Sequence, residues 1–302
     1  MPSVPGPLLF RPVYKDYLWG GDRIAKRFGR ADAPALCGES WEVSAHPDGM
    51  SVVEGGPFEG RDLASLCEEF GATLVGSYAG GTSFPLLVKL IDARDRLSVQ
   101  VHPNDEGAAR HGGEAKTEMW YFLEAAPGAT VCAGLKEGVG PRIFADAVKE
   151  HGVASLVRVV DAEPGKALYI PGGLVHAIGD GTLIYEVQQS SDTTFRLYDW
   201  NRVGADGRPR ELHVAKSLEA IDYSLPVPQP ATDVKCSFFE FRQVALDGEL
   251  VIPASSRSTA LFAAEGSFTV NGVEVPRRTS VLALPGEDLA LRGSAHVFVT
   301  TP

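Results

Sequence analysis

Apolar and polar positions alternate over many short stretches of this chain, and long stretches of helical period are few. Alternation at period two marks strands whose successive side chains face opposite ways. On that basis strands are expected at residues 8–10, 38–44, 51–53, 97–102, 118–124, 166–170, 183–189 and 193–200. Residues 84–93 form a nearly continuous apolar run, expected as a buried strand, with Lys89 either buried or reaching the surface. Past residue 236 the alternation returns in short pieces at 238–244, 259–264, 267–270, 280–283 and 296–300. Helical spacing predicts helices at 24–28 and 61–70, within 141–160, and at 212–221, whereas 103–115 reads as a polar, glycine-containing loop.

The segment Pro226-Val227-Pro228-Gln229-Pro230 is stiff and turn-like and reads as a linker. The expected organisation is a catalytic domain at 1–225 with N-terminal extension strands, a linker at 226–234, and a small C-terminal β domain at 235–302. With 33 glycines and 21 prolines in 302 residues, turns are abundant, which favours short strands over a helical bundle. The net charge of −11 argues against nucleic acid or an anionic membrane as partner. A small anionic substrate is still allowed, since one basic pocket suffices to hold it. The four cysteines form no CxxC pair and are widely spaced, which suits a reducing, cytoplasmic setting. No signal peptide is visible in residues 1–7, and the longest apolar run, 84–91, is too short to span a bilayer.

The chemistry concentrates around Ser98-Val99-Gln100-Val101-His102-Pro103. In a strand Ser98, Gln100 and His102 share one face and the valines the other, as expected of a lined cavity. Lys116 and Glu118 share a face at the start of the strand after the loop, and His176 ends the run Gly165-Lys166-Ala167-Leu168-Tyr169-Ile170-Pro171-Gly172-Gly173-Leu174-Val175-His176. That run fits G-x5-P-x-G-x2-H and resembles the second signature of the cupins, double-stranded β-barrels (jelly rolls) whose mouths hold a metal. The first cupin signature is altered here, with Gln100 in place of a first histidine. An amide (Gln100), two imidazoles (His102, His176) and a carboxylate (Glu118) suit a borderline divalent ion such as zinc. Surface roles are expected for His111, His151 and His213, a structural one for His46, and no chemistry for His296.

Four runs carry a closer resemblance: residues 97–105, Lys116-Thr117-Glu118-Met119-Trp120-Tyr121, Ser191-Asp192-Thr193-Thr194-Phe195-Arg196, and residues 38–47. They resemble the type I mannose-6-phosphate isomerases in their short bacterial form, strongly through residue 202 and weakly beyond. The resemblance implies a mainly β, cupin-type double-stranded barrel with a few helices and a second, smaller C-terminal β-barrel. It also implies interconversion of mannose 6-phosphate and fructose 6-phosphate, with one zinc ion per chain on Gln100, His102, Glu118 and His176. Arg196 is implied as an active-site residue, with Lys116, Glu186 and Asp192 as neighbours, and Ser98, Lys116 and Arg196 are expected against the sugar phosphate.

The residues suit that chemistry. Aldose–ketose isomerisation needs a base to move a proton between adjacent carbons, and Glu186 qualifies. It also needs positive charge near the enediolate oxygens, from a metal and from Arg or Lys. Arg196 is always charged and cannot be the base; Asp192 is expected to orient it. The rival readings are a cupin isomerase for another sugar or sugar phosphate, and a non-catalytic sugar-sensing cupin. The sensor has no use for a Lewis acid, and a coupled assay for fructose 6-phosphate formation separates them.

Overall fold

The computed structural model describes residues 6–77, 83–150, 152–204 and 207–302; His151 lies outside them. The chain is mainly β, with short helices between the strands. Among the described residues no helix is long and apolar enough to cross a membrane. Contacts divide the chain into two compact units that alternate along the sequence.

The first unit comprises Tyr14–Glu39 and Leu90–Ala231. One antiparallel sheet runs in the order Phe195–Tyr198, Val99–Val101, His176–Ala177, Thr130–Leu135, Val157–Asp161. In a second, Glu118–Ala125 is flanked by Ala167–Ile170 and Thr182–Gln189, both antiparallel to it. The inner faces share one core, in which Val131, Ala133 and Ile178 meet Trp120, Phe122, Leu168 and Ile184. That is the double-stranded barrel the cupin resemblance implies.

Alternation explains how this barrel aims its polar residues. Val99, Val101, Val175, Ala177, Phe195 and Leu197 are all buried in a layer with Phe144 and Val153 on the outer face of the first sheet. Each such Val, Leu or Phe contributes about 1.5–3 kcal/mol when buried. A one-residue slip would expose them all, so the residues between them, Gln100, His176 and Arg196, are held on the opposite face.

Some elements differ from expectation. Residues 103–115 contain the helix Asp105–His111, capped by Asn104, whose Oδ1 accepts the Gly107 N–H at 2.8 Å. Within 141–160 the helix stops at Lys149, and Val157–Asp161 is a strand pairing with Thr130–Leu135. The strand Thr130–Leu135 itself was not anticipated. The strand expected at 97–102 is reduced to Val99–Val101.

The second unit comprises the chain up to Val13, Ser40–Lys89 and Thr232–Pro302. Its sheet runs Val234–Lys235, Glu240–Ile252, Leu289–Thr301, Thr259–Val270, Ser280–Ala283, Leu8–Arg11, Val52–Val53, with Val273–Val275 paired to Thr259–Val270. Leu8 pairs with Leu282 and Leu9 with Val281, so the N-terminal strand joins the C-terminal segment rather than extending the residues before 225. The strands are longer than the alternation suggested: Glu240–Ile252 and Leu289–Thr301 pair over their whole length, through the polar stretch Asp247-Gly248-Glu249 that interrupts the pattern. Thr259–Val270 is one strand with a register shift between Ala263 and Glu265. Lys89 is buried, 2% exposed, with its ammonium 4.9 Å from the Trp41 ring centre, which favours a desolvated cation.

Candidate metal centre

The outer apolar layer turns Gln100 and His176 inward, and their register places them side by side: His176 pairs with Gln100, and Gln100 with Arg196 on its other side. Directly paired residues share a face, so Arg196, Gln100 and His176 form one row. His102 lies just past the end of its strand, in the segment that meets the Pro171-Gly172-Gly173 turn. Gly173 donates its N–H to the His102 carbonyl at 2.7 Å, and the Gly172 N–H donates to Thr117 Oγ1 at 3.1 Å. A Cβ on Gly172 would stand 2.8 Å from Asn104 Cα and 2.9 Å from the Pro103 carbonyl oxygen, so only glycine allows this approach.

His102, Glu118 and His176 are all buried, and their ligand atoms lie within 4.8 Å of one another. His102 Nε2 is 3.6 Å from one Glu118 oxygen and His176 Nε2 is 3.6 Å from the other. Lys116 completes the group, its ammonium 3.0 Å from Glu118 Oε2 and donating to His102 Nε2 at 3.2 Å. The His176 ring donates Nδ1–H to the Leu174 carbonyl at 2.8 Å, which leaves Nε2 as the lone-pair nitrogen. Burial lowers the His176 pKa to about 4; the Lys116 charge adds to this, while the Leu174 bond opposes it. The ring is therefore neutral at pH 7, as a metal ligand must be. Two imidazoles and a buried carboxylate fit a borderline divalent ion.

The fourth expected ligand, Gln100, adjoins the cluster. Its Nε2 donates to His176 Nε2 at 3.3 Å, and its Oε1 accepts from the Ser98 hydroxyl at 3.2 Å. Glu186 is 2% exposed and accepts a hydrogen bond from Trp120 Nε1 at 3.0 Å, and the Trp120 indole meets the His176 ring edge-on at 5.4 Å. Register pairs Glu186 with Trp120 and Gln188 with Glu118, so these four share the barrel-facing side.

The Arg196 guanidinium donates to the Glu211 carbonyl at 3.0 Å, and among the described residues it makes no hydrogen bond to the cluster. Burial lowers the Arg196 pKa, and Arg210 lowers it further. The nearby carboxylates that oppose this shift are Asp199 and Glu211. Asp192 is exposed, and its backbone N–H donates to Glu114 at 3.2 Å. His213, expected as a surface residue, instead holds the Arg196 backbone: its Nδ1 accepts the Arg196 N–H at 3.2 Å and its N–H donates to the Arg196 carbonyl at 2.7 Å. Trp120 was missed as a site residue, although alternation from Glu118 places it on the same face.

Comparison with known proteins bears on this arrangement. Residues 8–125 match the family described as phosphomannose isomerase type I, catalytic domain. The chain is 43% identical over 218 residues to mannose-6-phosphate isomerase ManA of Bacillus subtilis, covering 72% of this chain and 68% of that protein. A crystal structure of the mannose 6-phosphate isomerase from Bacillus subtilis superposes with a TM-score of 0.89 at 30% identity, over 98% of this chain and 99% of that one. A mannose 6-phosphate isomerase crystallised with zinc and yttrium shares the fold at a TM-score of 0.74 and 16% identity, over 98% of this chain and 99% of that one.

Proposed function

This chain belongs to the type I mannose-6-phosphate isomerase family, and on that premise we propose that it interconverts mannose 6-phosphate and fructose 6-phosphate at the His102–Glu118–His176 cluster. The observation that carries the reading is a buried pair of imidazoles facing one carboxylate, with a lysine ammonium 3.0 Å from that carboxylate. The donor set supports zinc, one ion per chain, on Gln100, His102, Glu118 and His176. When bound, zinc supplies Lewis-acid polarisation of the substrate carbonyl.

The chain's own residues do the rest. Glu186, fixed by Trp120, takes the proton from the carbon beside the carbonyl and returns it to the neighbouring carbon. Lys116 adds positive charge next to Glu118, where the enediolate oxygens gain negative charge. Arg196 presents a permanently charged fork from the row it shares with Gln100. Ser98 lines the same side, hydrogen-bonded to Gln100. Asp192 sits at the turn that leads into the Arg196 strand.

The substrate is a phosphorylated sugar, and the four cysteines, all free, suit the reducing cytoplasm where we place the enzyme. The test is a coupled assay of mannose 6-phosphate conversion by the purified protein and its Glu186→Gln variant. Wild-type turnover, lost in the variant with its metal content intact, supports this reading; a variant with full turnover removes Glu186 as the base.

A further inference from the structure

We propose that the cavity walled by Tyr17, Leu18, Trp19, Arg202 and Arg210 binds a phosphate monoester, with the two guanidinium groups as its donors. This rests on the isomerase reading and deepens it, because it assigns phosphate contacts to Arg202 and Arg210, which the resemblance to the family left without a role.

The cavity is built on a buried anion. Asp199, 6% exposed, accepts from Arg202 Nη2 at 2.5 Å, and from Arg210 Nε at 2.7 Å and Nη2 at 2.6 Å. Two cations thus share one buried carboxylate. Burial alone would raise the Asp199 pKa, yet hydrogen bonds from Arg210 and Arg202 hold it below the usual carboxylate range. Arg202 also reaches Asp95 at 3.4 Å, but that carboxylate is half exposed and offsets little. Arg196 adds a third guanidinium, whose charge is opposed by Arg210 and Arg202 and supported by the carboxylates of Asp199 and Glu211. Asp95 and Asp199 also line the cavity, so an anion there is held by guanidinium N–H groups left over from those pairs and not by surplus charge.

Arg210 is the principal donor, because Arg202 already gives Nη1 to the Arg96 carbonyl and Nη2 to Asp199. Arg210 Nη1 makes no hydrogen bond among the described residues, and the Arg210 side chain is 34% exposed. A guanidinium held from one side by a carboxylate presents its remaining N–H groups in a fixed fork that matches phosphate oxygens. The opposite wall is apolar and held in place. Tyr17 stacks on Trp19 with centroids 5.2 Å apart, and the Trp19 carbonyl accepts the N–H groups of Arg94 and Asp95 at 3.0 and 3.1 Å. Apolar surroundings strengthen the attraction of the guanidinium groups for an anion.

The cavity is joined to the metal centre by one pair of adjacent segments. From Arg196 beside Gln100, the pairing continues through Tyr198 and Val99, then Trp200 Nε1 to the Leu97 carbonyl at 2.7 Å, then Arg202 Nη1 to the Arg96 carbonyl at 2.6 Å. Whether the phosphate is that of the reacting sugar or that of a second phosphorylated metabolite is what the experiment separates; the chemistry of recognition is the same.

The experiment compares wild type with Arg210→Gln, measuring the kinetics of mannose 6-phosphate conversion and the binding of inorganic phosphate by calorimetry. Losing one charge-assisted contact should weaken phosphate binding about 10–100-fold. If KM for mannose 6-phosphate rises by the same factor while kcat holds, the phosphate is the substrate's own. If phosphate binding falls while KM and kcat both hold, the cavity serves a second phosphorylated metabolite. Unchanged phosphate binding and unchanged KM overturn the proposal and leave Arg210 as a structural tie to Asp199. Should Arg210→Gln fail to fold, Arg210→Lys keeps a charge on Asp199 but loses the fork, and is read in the same way. A wild-type protein that binds inorganic phosphate here yet turns over no mannose 6-phosphate refutes the isomerase reading and leaves the cavity standing.

Discussion

The His176 ring is aimed by the carbonyl of Leu174, two residues before it: Nδ1–H donates to that oxygen at 2.8 Å, and Nε2 faces Glu118 in consequence. The bond fixes the tautomer and leaves only Nε2 free to act as a ligand. Because the partner is backbone and local, the orientation of the ring is settled by the turn that carries it.

Burial of that ring makes stability depend on pH in the metal-free protein. The folded pKa is about 4, against 6.5 in the unfolded chain. Above pH 6.5 both states hold the ring neutral and nothing is lost. As pH falls from 6.5 toward 4 the unfolded state takes up a proton that the folded state refuses, at a cost of roughly 3 kcal/mol. Urea melts of metal-free protein between pH 7 and 4.5 should show this loss, and His176→Phe should flatten it.

Glu118→Gln removes the one carboxylate of the cluster and leaves Lys116 facing a neutral amide. Zinc affinity, read by chelator competition, should fall by at least about 100-fold, the upper end seen for losses around a metal's ligands. Wild-type affinity would remove Glu118 from the site.

Arg196→Ala should lower kcat about 10²–10³-fold, as expected for a donor that acts mainly in the transition state, with zinc content unchanged. Arg196 bonds to Glu211 and not to the cluster, so metal loss in this variant would contradict its placement. Arg196→Lys should recover little activity if the fork matters, and more if charge alone does.

Gly172→Ala should force the Pro171–Gly173 turn away from Pro103 and Asn104, because the new Cβ meets backbone atoms that cannot swing aside. We expect a stability loss of about 1–3 kcal/mol, typical of overpacking, together with weakened metal binding. Thermal melts and metal analysis of the same preparation check both.

Neutral substitutions at Arg277 and Arg278 should leave turnover nearly intact. Both arginines pair with Glu265, whose side chain is exposed, while Arg278 itself is mostly covered. The exposed Arg277–Glu265 pair is worth at most about 1 kcal/mol, so any cost at Arg278 should fall on stability and not on turnover. A large loss of turnover in a folded double variant would refute this.

What the sequence revealed followed physical range. Period-two alternation is local, and it located Glu39–Ser44, Glu118–Ala125 and Thr182–Gln189 closely, along with the shared face of Gln100 and His102. The helix Asp105–His111 buries only Gly107, so it has no apolar stripe to detect. Its signals were instead the cap Asn104, the acidic first turn and the basic last turn. Val157–Asp161 has mostly exposed positions and happens to continue the helical spacing of Val153 and Leu156. The convergence of Arg202 and Arg210 on Asp199 goes with the antiparallel bridge between Val203 and Pro209, which no local pattern reports. Arg196 was named by family resemblance alone.

The interleaving of the two units sets an order of assembly during synthesis. All residues of the metal-bearing unit have been made once Ala231 is added, whereas Leu8–Arg11 can pair early with Val52–Val53 on one side but must wait for Ser280–Ala283 on the other. Nascent chains usually fold from the N-terminal end; here one edge of the strand Leu8–Arg11 is among the last to be paired. A ribosome stalled, or a gene truncated, near residue 235 would therefore release a chain that holds every residue of the candidate metal centre but whose strand Leu8–Arg11 keeps one open, apolar edge, and such edges seed aggregation.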